Sequence, residues 1–321
     1  MTKTLMLATA VLALSACATV PATPPVALGA QEVTVPGPAG PLAGTLIETG
    51  TNHPAVLLLP GSGPTDRDGN NALGVKGAVY RQLAEGLQRH GITSLRIDKR
   101  GIGGSAQAVA DPNKVTVADY VGDTLLWADL LKARGHRCVW LAGHSEGGLI
   151  ALAATRRIDA CGLILIAAPG RKLDLVLREQ LGATLPAAML APTNGAIDKL
   201  AAGQTVDPAS VPAPVRPLFA PQTQGYLIDM MKYDPTAMIA PLRLPILIVQ
   251  GGEDVQVKPA DAAALAKANP AATLLSLDGV NHVLKTVPKG DRVANLTSYT
   301  LDGPIAPEAI EAIAGFVNGA R

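Results

Sequence analysis

The amino-acid sequence predicts an α/β fold, with a mostly parallel β-sheet flanked by helices. Short apolar runs of strand length alternate with longer stretches of helical pattern, and the runs are continuous, which is typical of strands buried on both faces. The strand-length runs are residues 55–59, 93–97, 139–142, 163–167, 246–249 and, more weakly, 272–277. The predicted helices are residues 78–89, 117–132, 147–157 and 260–267, with a last helix from Pro307. Thr116 with Asp119 forms a predicted N-terminal cap for the second of these helices.

The strand and helix pattern also divides the chain. Residues 31–35 and 42–49 predict an opening hairpin split by the Pro-Gly-Pro of residues 36–38. Residues 170–243 lack a convincing strand and contain helical patches, and their composition gives no sign of an independent core. We therefore expect a core in two parts, residues 31–169 and 244–321, interrupted by a helical lid at residues 170–243.

The start of the chain has the pattern of a bacterial export signal. Lys3 precedes an apolar run at residues 5–14, which is too short to span a bilayer. The run ends in Leu14-Ser15-Ala16-Cys17, which resembles the lipobox of bacterial lipoproteins. In that family the peptide is cleaved before the cysteine, which then carries lipid.

This resemblance makes residues 1–17 a signal peptide, with lipidation at Cys17. Residues 18–30, rich in Ala, Pro and Thr, are expected to form a flexible tether. The protein would then be exported and held at the periplasmic face of the cell envelope, with the outer membrane favoured and the lipid as its membrane contact. Cleavage by the ordinary signal peptidase, at the small residues around Cys17, is the alternative.

Composition excludes several classes of protein. Apolar residues make up 48% of the chain and charged residues 17%, which is typical of a globular protein. The 27 Lys and Arg balance 26 Asp and Glu without a basic cluster, so nucleic acid is not an expected partner. Aromatic residues are only 3%, which argues against platforms for stacking bases or sugar rings.

Cysteine use agrees with export. If Cys17 carries lipid, Cys138 and Cys161 remain as a pair in an oxidising compartment. Both lie at the starts of predicted neighbouring parallel strands. We hypothesise a disulfide between them, with two free core thiols as the alternative.

One pentapeptide carries the chemistry. Predicted strand 139–142 runs directly into Gly143-His144-Ser145-Glu146-Gly147, and a helical pattern follows at once. A serine in this strand-to-helix context matches the nucleophile elbow, a strained turn that raises the hydroxyl above the sheet. Side chains two residues either side would collide, hence the glycines. Ser145 is therefore the candidate nucleophile.

A serine nucleophile needs a base that a carboxylate orients, and this fold class supplies them in the order Ser, acid, His. The histidines are His53, His90, His136, His144 and His282, and only the last follows Ser145 along the chain. His144 lies inside the elbow but should point away from the hydroxyl. His282 is thus the candidate base. The acid should follow strand 246–249, where Glu253 and Asp254 both stand.

Four motifs in order give the chain a resemblance to a known family. They are Gly61-Ser62-Gly63-Pro64-Thr65-Asp66-Arg67-Asp68-Gly69, Asp98-Lys99-Arg100-Gly101-Ile102-Gly103-Gly104-Ser105, the elbow with Gly148, and the Asp/His order after it. Over residues 42–321 the sequence resembles bacterial α/β-hydrolases of the serine aminopeptidase-like group, in particular their carboxylesterase branch. The resemblance implies an eight-stranded α/β-hydrolase fold and activity on simple acyl esters.

The resemblance also assigns roles. Asp254 matches the family's Gly-x-x-Asp pattern, counted from Gly251, so it is favoured as the acid over Glu253. The oxyanion hole is expected from the backbone N–H groups of Glu146 and Ser62. In the loop that carries Ser62, Pro60 stands where the family has histidine.

Charged residues in the two matched loops are expected to brace the site. Asp66, Arg67, Asp98 and Arg100 are assigned to this bracing. A buried carboxylate beside the nucleophile is costly unless it is paired. We hypothesise that Glu146 pairs with Arg67 or Arg100, the alternative being that all of these are solvated loop charges.

The sequence thus predicts a carboxylesterase-type serine hydrolase with the triad Ser145, Asp254 and His282. It predicts no cofactor and no metal, a small-molecule acyl ester as substrate, and leaves the oligomeric state open. A peptidase with the same triad is the runner-up. It would need lid carboxylates to hold a free amine, and the candidates are Asp174, Glu179, Asp198, Asp207, Asp229 and Asp234. A lipoprotein that binds acyl ligands without turnover is the third interpretation.

Overall fold

A computed structural model describes residues 29–72 and 74–319 of the chain. Their strands form one eight-stranded sheet in the order β1-β2-β4-β3-β5-β6-β7-β8. The strands are β1 Ala30–Pro36, β2 Pro41–Ile47, β3 Ala55–Leu59, β4 Thr93–Ile97, β5 Val139–His144, β6 Ala160–Ile166, β7 Ile246–Gly251 and β8 Thr273–Leu277. The predicted signal peptide, with Cys17, and nearly all of the predicted tether lie outside the described residues.

The sheet is mostly parallel, as predicted. β1 pairs antiparallel with β2, and β2 antiparallel with β4, so the opening hairpin forms one edge. All other neighbouring strands pair in parallel. Every residue of β3, β4 and β5 is buried, which explains the continuous apolar sequences of β3 and of residues 139–142 in β5. β4 is buried although Thr93, Ser94 and Arg96 are polar, and Arg96 pairs there with Asp68.

Helices cover both faces of the sheet. Successive side chains of a strand point to opposite faces, and in β3 Leu57 joins one apolar cluster while Val56 and Leu58 join the other. The helices outside the insertion are α1 Val79–Arg89, α2 Val117–Ala133, α3 Glu146–Ala154, α8 Pro259–Ala268, α9 Arg292–Ser298 and α10 Pro307–Gly319. Apolar residues of α2, α3 and α8 pack on the Leu57 face, and those of α1 and α10 pack on the other.

Local signals set several helix ends. The capping box at α2 is confirmed: Thr116 Oγ1 accepts from Asp119 N–H at 3.2 Å, and Thr116 N–H donates to Asp119 Oδ2 at 2.9 Å. Pro259 and Pro307 begin α8 and α10, where the missing N–H costs nothing. No helix among the described residues combines the length and apolarity needed to cross a bilayer.

The interval between β6 and β7 is helical. It contains α4 Leu173–Gly182, α5 Ala187–Ala201, α6 Pro221–Met230 and α7 Pro235–Ile239. We call residues 170–243 the helical insertion. Composition gives no sign of a core in this interval, but Leu177, Ile197, Leu200, Phe219 and Met231 form a separate buried cluster there. These apolar residues are spread over several short elements, so only their tertiary packing brings them together.

A disulfide links two neighbouring strands. Cys138 directly precedes β5, Cys161 lies in β6, and their Cα atoms are 5.5 Å apart. The structure therefore pairs the two cysteines, in agreement with the hypothesis from the sequence. The bond lies at the amino ends of β5 and β6, whereas the pentapeptide lies at the carboxyl end of β5.

Candidate active site

Ser145 occupies a strained turn between β5 and α3. Its backbone has φ 53° and ψ −121°, a conformation that a residue with a side chain rarely adopts. The Ser145 N–H donates to the Ile166 carbonyl of β6 at 2.9 Å, which fixes the turn to the sheet. The side chain is therefore raised at the carboxyl end of the strand, partly exposed.

The glycines around Ser145 are required by close backbone contacts. A Cβ atom on Gly143 would lie 2.1 Å from the Gly147 carbonyl oxygen, and one on Gly147 would lie 2.2 Å from the Leu59 carbonyl oxygen. The first clash is the collision expected across the elbow. The second arises because the end of β3 crosses directly over the start of α3.

The candidate base and acid are in contact. His282 Nδ1 lies 2.7 Å from Asp254 Oδ2, and both side chains are buried. Asp254 Oδ1 accepts the N–H groups of Gln256 at 2.8 Å and Val257 at 2.9 Å. Burial raises the pKa of Asp254, but the His282 charge and these hydrogen bonds outweigh it, so the net pKa is lowered. An anionic Asp254 keeps the proton on His282 Nδ1, which leaves Nε2 to accept another.

Glu253, the alternative acid, is engaged elsewhere. Its carboxylate accepts the Gly290 N–H at 2.9 Å, and its carbonyl oxygen accepts from Asn295 Nδ2 at 2.6 Å. The adjacent carboxylate of Asp254 is the one that meets His282.

Gln250 is a further residue at the acid that sequence reasoning missed. Its Nε2 lies 3.2 Å from Asp254 Oδ2 and 3.1 Å from the carbonyl oxygens of Gly251 and Val257. The side chain therefore ties the carboxylate to the turn that carries it. A single glutamine inside a strand gives no sequence signal of such a role.

His144 points away from the nucleophile, as expected, and links two parts of the site. Its Nε2 lies 2.9 Å from the His282 carbonyl oxygen, and its Nδ1 lies 2.8 Å from the Tyr80 hydroxyl. Burial, with a contribution from the nearby charge of His282, lowers the pKa of His144 to about 3. The ring is therefore neutral near pH 7, with Nε2 donating to the carbonyl. Tyr80, on α1, is a second residue that the sequence did not reveal.

The loop after β3 passes beside the nucleophile. A Cβ atom on Gly61 would lie 3.3 Å from Ser145 Cβ. The Gly61 N–H donates to the Tyr80 hydroxyl at 2.8 Å, so it is not free for a substrate. Ser62 is exposed, and none of the hydrogen bonds within residues 29–72 and 74–319 uses its N–H. The N–H of Glu146 begins α3, where first-turn amides lack helical partners.

Part of the predicted bracing is present. Arg67 Nη2 lies 2.7 Å from Asp98 Oδ2, and the Arg67 N–H donates to Asp98 Oδ1 at 2.7 Å, which joins the two matched loops. Arg67 also pairs with Glu32 of β1. Asp66 takes no part in an ion pair within the described chain; its Oδ1 accepts the N–H groups of Asp68 and Asn70 and so stabilises its own turn.

The predicted partner of Glu146 is wrong. Arg100 turns instead to α2, where its Nη2 lies 2.6 Å from Asp123 Oδ1 and its Nη1 lies 3.1 Å from Asp119 Oδ1. Glu146 Oε1 lies 3.2 Å from the Nζ of Lys99, which precedes Arg100 in the chain. Consecutive side chains leave the backbone in different directions, so Lys99 reaches the elbow where Arg100 does not.

Lys99 and Glu146 share a buried polar cluster. Lys99 Nζ donates to the Gly61 carbonyl oxygen at 2.8 Å, in addition to its contact with Glu146. Tyr226, on α6 of the helical insertion, donates its hydroxyl to Glu146 Oε1 at 3.0 Å. Each buried charge is therefore compensated, which a pair at this depth requires.

An eight-stranded sheet with a strained serine after β5, and a buried Asp–His pair in the loops after β7 and β8, defines an α/β hydrolase architecture. The chain belongs to the alpha/beta hydrolase family, whose model matches residues 56–295. Among residues 29–72 and 74–319 there is no group of three His, Cys, Asp or Glu side chains placed to hold a metal ion.

Several known proteins are similar to the chain. It is 27% identical over 289 residues to "Esterase EstD" of Thermotoga maritima, a match that covers 88% of this chain and 66% of the relative. A proline iminopeptidase-related protein from Thermus thermophilus has a TM-score of 0.61 at 21% identity, covering 91% of this chain and 99% of its own. An esterase from Pyrococcus furiosus has a TM-score of 0.60 at 17% identity, covering 90% and 91%. These structures share the fold; the narrower resemblance to the serine aminopeptidase-like carboxylesterase branch stays a prediction.

Proposed function

We propose that this protein is a serine esterase that hydrolyses carboxylic esters of small molecules. The observation that carries the proposal is the 2.7 Å contact of His282 Nδ1 with Asp254 Oδ2. Asp254 lies in the loop after β7 and His282 in the loop after β8, at the same end of the parallel strands as Ser145. A serine hydroxyl is a weak nucleophile and needs such an oriented base. Similarity to an esterase over 88% of the chain supports an ester as the bond cleaved.

The proposed reaction passes through an acyl-enzyme. Ser145 Oγ attacks the ester carbonyl while His282 Nε2 takes its proton, and Asp254 stabilises the imidazolium that forms. The N–H groups of Ser62 and Glu146 donate to the oxyanion of the tetrahedral intermediate. His282 returns the proton to the departing alcohol, then activates a water that hydrolyses the acyl–Ser145 ester.

Replacement of the nucleophile tests the proposal. We expect Ser145→Ala to lower kcat/KM for p-nitrophenyl acyl esters of graded chain length by about 10³-fold or more. Ser210→Ala is the matched control, because Ser210 is exposed in the helical insertion and its hydroxyl donates to the local Asp207 carbonyl oxygen. Equal activity of Ser145→Ala and the parent protein would remove Ser145 from the mechanism.

The contacts of the insertion carboxylates favour esters over peptides with a free amine. Of the six candidate carboxylates, five already serve structural roles: Glu179 pairs with Arg171, Asp198 with Arg178, and Asp207, Asp229 and Asp234 accept backbone N–H groups. Asp174 is the exception, because its Oδ1 is buried without a hydrogen-bond partner in the described chain.

Asp174 therefore defines the test of the peptidase alternative. Aminoacyl p-nitroanilides should be cleaved weakly or not at all, and Asp174→Asn should leave ester turnover unchanged. Efficient anilide cleavage that disappears in Asp174→Asn would replace the esterase by an aminopeptidase with the same triad.

We also propose that the protein is exported and lipid-anchored through Cys17. The support is the Leu14-Ser15-Ala16-Cys17 motif after an apolar run of signal-peptide length. In a bacterial host fed radiolabelled palmitate, the full chain should take up label and sediment with membranes, and Cys17→Ser should do neither. Label-free protein in the soluble periplasmic fraction would support ordinary signal cleavage instead.

A further inference from the structure

The two peptide groups that meet at the Cα of Gly61 are both held. The N–H of Gly61, in the Pro60–Gly61 peptide group, donates to the Tyr80 hydroxyl at 2.8 Å. The carbonyl oxygen of Gly61, in the Gly61–Ser62 peptide group, accepts from Lys99 Nζ at 2.8 Å. Tyr80 and Lys99 are both buried, so water does not compete for either hydrogen bond.

The hold on the carbonyl fixes the direction of the next N–H. In a planar trans peptide the C=O of Gly61 and the N–H of Ser62 point in opposite directions. The Gly61 carbonyl oxygen faces Lys99 Nζ, so the Ser62 N–H of the same peptide group points away from Lys99. A donor that is already oriented stabilises developing charge without reorganising during the reaction.

Tyr80 and Lys99 each contact a pentapeptide residue next to Ser145: His144 and Glu146, respectively. The Tyr80 oxygen accepts from Gly61, and its single proton goes to His144 Nδ1 at 2.8 Å. On the other side, Lys99 Nζ is held 3.2 Å from Glu146 Oε1. The residue before Ser145 therefore connects the nucleophile turn to the Pro60–Gly61 peptide group, and the residue after it connects the turn to the Gly61–Ser62 peptide group.

We propose that Tyr80 and Lys99 are positioning residues for ester hydrolysis, which orient the Ser62 N–H as an oxyanion donor. The inference rests on the proposed function. It assigns a second role to His144 and Glu146, which transmit the geometry of the elbow to the loop after β3. Neither Tyr80 nor Lys99 touches the reacting atoms in this scheme.

The variants must avoid an unpaired buried charge. Lys99→Met alone would strand the Glu146 carboxylate, so the test uses Lys99→Met with Glu146→Gln, which keeps the Glu146 backbone N–H. Tyr80→Phe removes the other hold. Tyr233→Phe is the matched control, because Tyr233 lies between α6 and α7. Among the described residues, no hydrogen bond joins its side chain to Gly61 or Lys99, whose partners are Tyr80, Glu146 and each other.

The readout is a comparison of ester turnover with the affinity for an alkyl trifluoromethyl ketone, which forms a tetrahedral oxyanion on the serine. For Tyr80→Phe and for the double variant we expect kcat to fall about 10- to 100-fold and the inhibition constant to rise by a similar factor. KM should change by less than about threefold. Tyr233→Phe should match the parent protein in all three quantities.

The outcomes separate the inference from the proposed function. Unchanged kcat and inhibitor affinity, or a lower kcat with unchanged inhibitor affinity, would overturn the positioning role. If Ser145→Ala retains full activity, the esterase proposal itself fails. An inactive Ser145→Ala beside fully active positioning variants rejects the inference alone. A thermal melt of each variant identifies any loss that comes from unfolding.

Discussion

His144 Nε2 lies 2.9 Å from the carbonyl oxygen of His282, so the residue before the candidate nucleophile is hydrogen-bonded to the backbone of the candidate base. The contact is made by a neutral, buried ring. The His144 side chain therefore fixes the main chain of the loop that carries His282. Asp254 separately orients the His282 side chain.

The pKa of His144 predicts a pH dependence of stability. Its pKa is about 3 in the folded protein, against about 6.5 in an unfolded chain. Between these values the unfolded state binds more protons, so the free energy of unfolding should fall as pH is lowered from about 6.5 toward 3. His144→Gln should show a shallower fall of the urea midpoint over this range. His53→Gln, at an exposed side chain, is the control and should follow the parent protein.

Close packing at the elbow predicts that Gly147 tolerates no side chain. In Gly147→Ala the new Cβ would lie 2.2 Å from the Leu59 carbonyl oxygen and 2.8 Å from that of Pro60. We expect loss of activity and a markedly lower melting temperature. Gly195→Ala is the control, because that glycine is exposed within α5 and a Cβ added there would meet no atom within 4 Å. It should gain about 0.5–1 kcal/mol from helix propensity. Equal melting temperatures for the two variants would contradict the packing argument.

The buried ion pair between the matched loops predicts a large loss in Asp98→Ala. Asp98 accepts the Arg67 N–H and guanidinium and the Gly104 N–H, all within 2.9 Å. Removal leaves Arg67 with the exposed Glu32 as its one ionic partner among residues 29–72 and 74–319. Breaking a buried pair by removing one partner typically costs about 3–5 kcal/mol. Glu85→Ala, in the more exposed Arg81–Glu85 pair of α1, should cost less than about 1 kcal/mol. Denaturant unfolding of both variants measures the difference.

The disulfide predicts a redox-dependent stability. Cys138 and Cys161 are separated by 23 positions, and closing a loop of this size stabilises by about 3 kcal/mol in the chain-entropy model. The Cys138→Ser/Cys161→Ser variant should unfold at correspondingly lower denaturant. Dithiothreitol should shift the parent protein toward the variant and leave the variant unchanged. Two titratable thiols in the denatured, unreduced protein would show that the bond does not form.

Much of the fold follows from local pattern. The runs 55–59 and 93–97 coincide with β3 and β4 to the residue. The strand β3 is apolar throughout, as burial on both faces favours, whereas β4 buries Thr93, Ser94 and Arg96, and Arg96 is paired with Asp68. The predicted strand 163–167 instead begins at Ala160, since its first residues are only partly buried and backbone pairing extends beyond the apolar run. Helix α5 has no clear sequence signal, because Pro192 lies inside it and its buried residues Ala196, Ile197 and Leu200 pack in the cluster of the insertion.

The elbow is the part of the site that the sequence itself determined. The pattern consists of a strand, the pentapeptide with Gly143 and Gly147 on either side of Ser145, and a helix. This combination is specific for the strained turn of a nucleophile elbow. The order of acid and histidine along the chain added Asp254 and His282, since loops after parallel strands meet at one edge of a sheet.

The partners of these residues were decided by tertiary structure alone. Lys99 rather than Arg67 or Arg100 meets Glu146, Tyr80 meets His144, and Gln250 meets Asp254. Each of these pairs, except the last, joins segments 47 or 64 positions apart. Sequence shows which side chains carry charge or a hydroxyl. It does not show the direction in which each leaves its element, and hydrogen bonds and buried ion pairs depend on that direction.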